Sequence, residues 1–214
     1  MGVQGSGTKG AEARAASLAI PANYQERLKQ RIRDKSLFRG KVTLSSGKTS
    51  HYYMDCRLTT LDPEGSVLVA HAILELLAAR GIRAEAIGGM SMGADPIVAS
   101  VAALSFLQGR PLRGFLVRKE RKEHGRQKRI EGLEPGAVHN VVIVDDVCTT
   151  GKSTLEAIAA AEEEGMKVLA VISLVDREEG GSEELRKKYS YHAICTAREL
   201  LAEGPASVRG SHGQ

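Results

Sequence analysis

A chain of 214 residues, 42% hydrophobic and 26% charged, is long enough for one α/β domain with appended elements and too apolar for a disordered chain. Aromatic residues make up 4% with no Trp, which leaves a core of Val, Ile, Leu and Ala and argues against a stacking platform for single-stranded nucleic acid. The formal net charge of +4 suits an anionic ligand without identifying one, and no run reaches the roughly 18 apolar residues that span a bilayer.

Residues 1–20 open with a small, polar, Gly-rich stretch that has no apolar h-region and read as a mobile tail, with no sign of export. Asn23 to Asp34 reads as a helix, with Asn23 as its cap and Leu28 and Ile32 four residues apart on one face. Residues 41–57 carry β-branched and tyrosine residues on both sides of Ser-Ser-Gly-Lys, the pattern of a hairpin. Residues 21–62 thus form a small N-terminal unit. Pro63 opens a helix that runs to Arg80 on the spacing of Val67, Ala70, Ile73, Leu74 and Leu77, and Gly81 stops it. Beyond it, strands and helices alternate: AEAIGGM, a helix over 94–107, RGFLVRK, VVIVDD, a helix over 151–164, VLAVISLVD, a charged helix over 182–188, YHAIC and a terminal helix through Leu201. That alternation predicts an α/β core over 63–203, with a central, mostly parallel sheet flanked by helices. Residues 204–214 read as a second mobile tail. Cys56, Cys148 and Cys195 are widely spaced and read as reduced thiols in a cytoplasmic protein.

The most informative string is Val141 to Ser153, VVIVDDVCTTGKS. Asp145 and Asp146 fall where an apolar strand leaves the sheet, the place where open α/β sheets bind ligands. Thr149, Thr150, Gly151, Lys152 and Ser153 follow as a turn at a helix start, whose unused amides favour a phosphate. Two carboxylates ahead of a phosphate site repel a polyanion unless they accept from hydroxyls or hold a metal, and a phosphorylated ribose offers both ends. A Walker loop needs glycine where Asp146 stands, and a dinucleotide fingerprint on Gly88 and Gly93 needs glycine where Met90 stands. Taken alone, an Asp-Asp pair also serves simply to end a strand and cap a helix.

The whole string resembles the 5-phosphoribosyl-1-diphosphate motif of the type I phosphoribosyltransferases, and further segments resemble the orotate branch of that family. LSSGKTSHYYMD, Leu44 to Asp55, is similar to the family's N-terminal hood, with Ser46, Gly47, Ser50 and Tyr52 or Tyr53 near the base, and with His51 replacing a usual proline. GGMSMGADPI, Gly88 to Ile97, resembles the diphosphate loop, with Met92 where some members carry lysine. RKERKEHGRQKRIEG, Arg118 to Gly132, resembles the flexible catalytic loop and carries over Arg118, Lys119, Lys122 and His124, followed by Glu131 and Gly132. LVDREEG places Arg177 where orotate enzymes hold the carboxylate of the base; the fork of arginine donors suits that planar partner.

The resemblance implies a type I phosphoribosyltransferase fold with a hood. It implies the transfer of 5-phosphoribosyl from 5-phosphoribosyl-1-diphosphate to orotate, giving orotidine 5′-monophosphate and diphosphate in de novo pyrimidine synthesis. It also implies Mg²⁺ bound mainly through substrate, through water to Asp145 or Asp146, and a homodimer with shared active sites and no nucleic-acid or membrane partner. Asp145 and Asp146 are expected on the ribose hydroxyls, Thr149 to Ser153 on the 5′ phosphate, and Lys122 and His124 at the leaving diphosphate. The alternatives are a phosphoribosyl-diphosphate-sensing regulator and a purine phosphoribosyltransferase, against which Arg177 and the hood segment count.

Overall fold

The computed structural model describes residues 20–43, 49–120 and 129–202; the two expected tails, apart from Ile20, and the residues of the hairpin turn lie outside them. Helix α1 (Tyr24–Arg31) begins without the side-chain cap expected of Asn23. Asn23 sits at φ −92, ψ 29, away from the extended conformation that aims a cap oxygen at the first amides. The helix is held instead by burial of Leu28 and continues as a π-helical turn, Ile32–Ser36, that buries Ile32.

Strands β1 (Leu37–Thr43) and β2 (Thr49–Met54) form a separate antiparallel pair. The pair starts at Leu37, ahead of the expected residue 41, because Phe38 lies opposite Tyr53 with ring centroids 6.1 Å apart, a cross-strand aromatic contact that extends the ladder. A short helix, α2 (Arg57–Thr60), leads into α3 (Pro63–Ala79). Asp62 caps α3 by accepting from the Gly65 amide at 2.9 Å, and Pro63 fills the first turn. Gly81, at φ +64, turns the chain out of the helix as expected.

The core sheet contains β3 (Ala86–Met90), β4 (Arg113–Val117), β5 (Ile130–Glu131), β6 (Asn140–Cys148), β7 (Lys167–Asp176) and β8 (Tyr191–Thr196) in the order β5-β4-β3-β6-β7-β8. All pairings are parallel except β4 with β5. The remaining helices are α4 (Asp95–Leu107), α5 (Lys152–Glu163), α6 (Gly181–Arg186) and α7 (Ala197–Ala202).

The pleat divides the core. Val142, Val144, Ile172 and Leu174 pack with α1, α3 and α4 on one face, and Val141, Ile143 and Val171 pack with α5 and α6 on the other. Each such side chain contributes about 1.5–3 kcal/mol when fully buried, which is why β6 and β7 read as unbroken apolar runs.

The connection from β3 goes outward to β4 and β5 and then returns to β6 on the other side of β3. That reversal is a topological switch point, and the helices that follow its two strands, α4 and α5, pack on opposite faces. The chain therefore opens a crevice at the carboxyl ends of β3 and β6.

Candidate active site

Asp145 and Asp146 sit at that crevice, inside a strand that runs on past the VVIVDD expected from the sequence. β6 continues through both to Cys148, with Asp145 paired to Ser173 and Cys148 to Asp176 of β7. The apolar run ends at Val144 while the ladder does not, since backbone pairing does not require apolar side chains. The two carboxylates point to different partners, as neighbours on a strand must.

Asp145 is buried and looks toward α5: Oδ2 accepts from Thr154 Oγ1 at 2.6 Å and Ser153 Oγ at 3.0 Å, and Oδ1 accepts from the Asp146 amide at 3.0 Å. It ties the first turn of the helix to the strand. Asp146 is only partly buried and faces the loop after β3, so that a Cβ added to Gly93 would lie 2.6 Å from its Oδ1, which also accepts from the Val147 amide at 2.9 Å. Gly93 is required there by close approach.

Burial pushes both acids upward. For Asp145 the rise is opposed by its donors Thr154, Ser153 and the Asp146 amide. Asp146 is raised to about 6, first by burial and then by the charge of Asp145, with the Val147 amide and Arg57 acting in the opposite direction. The pair therefore holds more negative charge than its surroundings stabilise, and it suits ligands that bring hydroxyl donors or a cation.

After the strand, Gly151 adopts φ +73 and Leu155 makes the first helical bond to the Gly151 carbonyl at 2.9 Å. The amides ahead of Leu155 are those a helix start leaves for an anion. Thr150, Lys152 and Ser153 are exposed around them. The turn is backed by α6: the Gly181 amide donates to the Thr149 carbonyl at 2.9 Å, and a Cβ on Gly181 would lie 2.5 Å from the Gly151 nitrogen.

Cys148, at the base of the turn, is buried, and burial pushes its thiol up to about 11. Cys195 is likewise pushed up to about 12 and Cys56 well above its usual range. Of the diphosphate-loop glycines, Gly88 and Gly89 lie within β3, where an added Cβ would overlap the Phe115 ring and the Val144 carbonyl respectively; both are packing residues. Met92 is exposed, and Ser91 donates to Asp95 at 2.8 Å.

At the end of β7, Arg177 meets the hood. Its side chain is 6% accessible, its Nε donates to the Tyr52 hydroxyl at 3.2 Å, its Cζ lies 4.6 Å from the Tyr52 ring centroid, and its Nη2 contacts Glu179 at 2.8 Å. An open groove of about 440 Å³ runs past Tyr52, Arg177 and Arg198. Tyr53 does not join them: it alternates to the other face of β2, against Phe38. Ser50 bonds locally to the Tyr52 carbonyl at 2.8 Å.

Arg118 and Lys119 are exposed after β4, with Arg118 within 3.3 Å of Glu131. Lys122, His124, Ser46 and Gly47 lie outside the described residues. Two further residues of the site, Asp55 and Arg57, carry no role that the sequence alone assigns. Asp55 grips Arg57 through Nε at 2.8 Å and Nη2 at 2.9 Å, and Arg57 is the cation that opposes the rise of Asp146. The Asp-x-Arg spacing after the tyrosines was the available signal.

Among the described residues no cluster of three or more His, Cys, Asp or Glu could cage a metal. No helix among them is long and apolar enough to cross a membrane.

Residues 69–198 match the family model described as the phosphoribosyl transferase domain. The orotate phosphoribosyltransferase of Sorangium cellulosum is 41% identical over 191 residues, which cover 87% of this chain and 98% of that one. The structure of Mycobacterium tuberculosis H37Rv orotate phosphoribosyltransferase in complex with Fe(III) dicitrate gives a TM-score of 0.73 at 35% identity, covering 83% of this chain and 98% of the other. The same enzyme in complex with 5-phospho-alpha-D-ribosyl 1-diphosphate gives 0.70 at 32% identity, covering 83% and 99%.

Proposed function

The chain belongs to the orotate phosphoribosyltransferases, and from that premise we propose how its residues divide the work. The reaction joins N1 of orotate to C1 of the phosphoribosyl group of 5-phosphoribosyl-1-diphosphate and releases diphosphate. The observation that carries the assignment of roles is the meeting, at the switch point of the sheet, of Asp146, the glycine loop after β3 and the helix start at Gly151.

Asp146 accepts from the ribose hydroxyls and screens the positive charge that develops as the bond to diphosphate breaks. Asp145 works behind it, holding Ser153 and Thr154 and with them the phosphate turn. The amides from Thr149 to Ser153 receive the 5′ phosphate, helped by Thr150 and Lys152. Arg177 takes the carboxylate of orotate, with Tyr52 packed against the guanidinium. Arg118 and Lys119 bring positive charge to the diphosphate, together with Lys122 and His124; Lys122 stabilises the leaving group and His124 orients it or supplies a proton. Catalysis on this scheme is positioning and electrostatics.

Asp145 or Asp146 would hold a substrate-borne Mg²⁺ through water, and the ion would supply charge neutralisation at the diphosphate. We further read residues 21–62 as an N-terminal helix and hood hairpin and 63–203 as the phosphoribosyltransferase core of a cytoplasmic homodimer with shared sites, without nucleic-acid or membrane partners. The sensing and purine readings are not favoured, since the matched relatives carry orotate enzyme names across most of their length.

The test is a spectrophotometric assay of orotate consumption with 5-phosphoribosyl-1-diphosphate and Mg²⁺, with uracil, hypoxanthine and adenine in parallel. Orotate is expected to be consumed and the other bases not. Turnover of a purine with orotate untouched would overturn the reading.

A further inference from the structure

We propose that the Glu179 carboxylate is a built-in competitor for the carboxylate of the incoming base: it occupies the Arg177 guanidinium in the unliganded chain and leaves it when orotate binds. The inference rests on the assignment of Arg177 to the base and goes beyond it by naming what competes there.

Arg177 already has two of its donor nitrogens engaged. Its Nε is engaged by the Tyr52 hydroxyl at 3.2 Å, and one face of the guanidinium is covered by the Tyr52 ring at 4.6 Å. A planar carboxylate binds a guanidinium best through two adjacent N–H groups. With Nε closed by Tyr52, the remaining edge is that of Nη1 and Nη2, and Glu179 sits on Nη2 at 2.8 Å. A base carboxylate that takes the Nη1–Nη2 edge therefore meets Glu179 as a competitor at Nη2.

The loop is built for Glu179 to give way. The Arg177 side chain is 6% accessible and the Glu179 side chain 40%, so the arginine is fixed while the carboxylate can pass into water. The preceding residue is anchored independently: the Glu178 amide donates to Asp176 at 2.8 Å, and its carboxylate accepts from Arg198 at 2.6 Å. Gly180, at φ +98, follows. Glu179 can rotate away without disturbing either anchor.

Two consequences follow for selectivity. A base that carries a carboxylate replaces one ion pair by another, so the buried guanidinium is never left without a counter-charge. A base that lacks one must either leave Glu179 in place or strand the cation, which is unfavourable at a buried site. Glu179 thus lowers the affinity for orotate, while a base without the acid group leaves the Arg177–Glu179 pair in place and is not affected by it.

The variant to measure is Glu179→Gln, with Glu179→Ala beside it. Loss of the competitor is expected to lower the KM for orotate by about two- to fivefold, the range open to a partly exposed ion pair. The KM for 5-phosphoribosyl-1-diphosphate, the kcat and the inhibition constant of uracil should stay within about twofold of the parent. Loosening of the loop without competition would instead raise the KM for orotate and disturb the other substrate, and that result, or an unchanged KM for orotate in both variants, overturns the proposal. Arg177→Lys separates the two levels: if it leaves the KM for orotate unmoved, Arg177 does not hold the base and the underlying assignment fails.

Discussion

The carboxyl ends of β6 and β7 are neighbours in one sheet, yet they prepare for ligands in opposite ways. At the end of β6 two acids are brought together with a partly exposed arginine as the main opposing charge, so the unliganded chain carries an excess of one sign. At the end of β7 a buried cation is already matched, by an aromatic face, a hydroxyl and a carboxylate. The first end is ready to receive donors; the second exchanges one partner for another. The difference shows that a single site can be poised at one end by unsatisfied charge and at the other by charge satisfied temporarily.

The sharpest way to break this comparison is Asp146→Asn. Activity should fall by about 10²–10³ in kcat/KM, because the ribose loses its ionised acceptor where charge develops. Stability should move in the other direction. A carboxyl whose folded value is raised to about 6 from 3.8 favours the fold while protonated, below the unfolded value, and that advantage is lost as pH rises toward 6. The variant should therefore match the parent near pH 4 and, without ligand or metal, exceed it by about 1–2 kcal/mol at pH 7, or about 3–6 °C in melting temperature. Equal melting curves across that range would mean that the acids are not in conflict.

The matched end is tested by Arg177→Ala, which should raise the KM for orotate by about 30- to 100-fold, the consequence of removing one member of a buried charge pair. Gly181→Ala probes the wall between the two ends. A methyl 2.5 Å from the Gly151 nitrogen should displace the phosphate turn, raise the KM for 5-phosphoribosyl-1-diphosphate about tenfold and lower stability by about 1–3 kcal/mol in thermal unfolding. The smallest effect belongs to Tyr52→Phe, which keeps the ring under Arg177 and removes one hydrogen bond. A rise of about two- to fivefold in the KM for orotate is expected, and a larger one would mean that the hydroxyl touches the base.

The strands of the core were legible because both faces of the sheet are covered, so β6 and β7 are spelled in unbroken apolar letters. β5 was not, since Ile130 and Glu131 are too few to carry a pattern and pair only because β4 is adjacent. The sequence also misled on Asn23, where residue type suggested a cap that the backbone conformation denies, while Asp62 supplies a real one to α3. Within the site, the acids and the turn could be read from a local string. Their division of labour could not, because it depends on which way each side chain leaves a strand that continues beyond the apolar run. The meeting of Tyr52 with Arg177 spans 125 positions, and no spacing rule reaches that far.

The three thiols, each shielded by packing and each pushed toward the neutral form, make the native chain a blank background for sulfur chemistry. Alkylating reagents attack the thiolate, so a cysteine introduced at Leu107, 77% exposed and at the end of α4 far from the acids, would be labelled selectively. A fluorophore or spin probe attached there could follow changes in the protein while leaving the ligand crevice untouched.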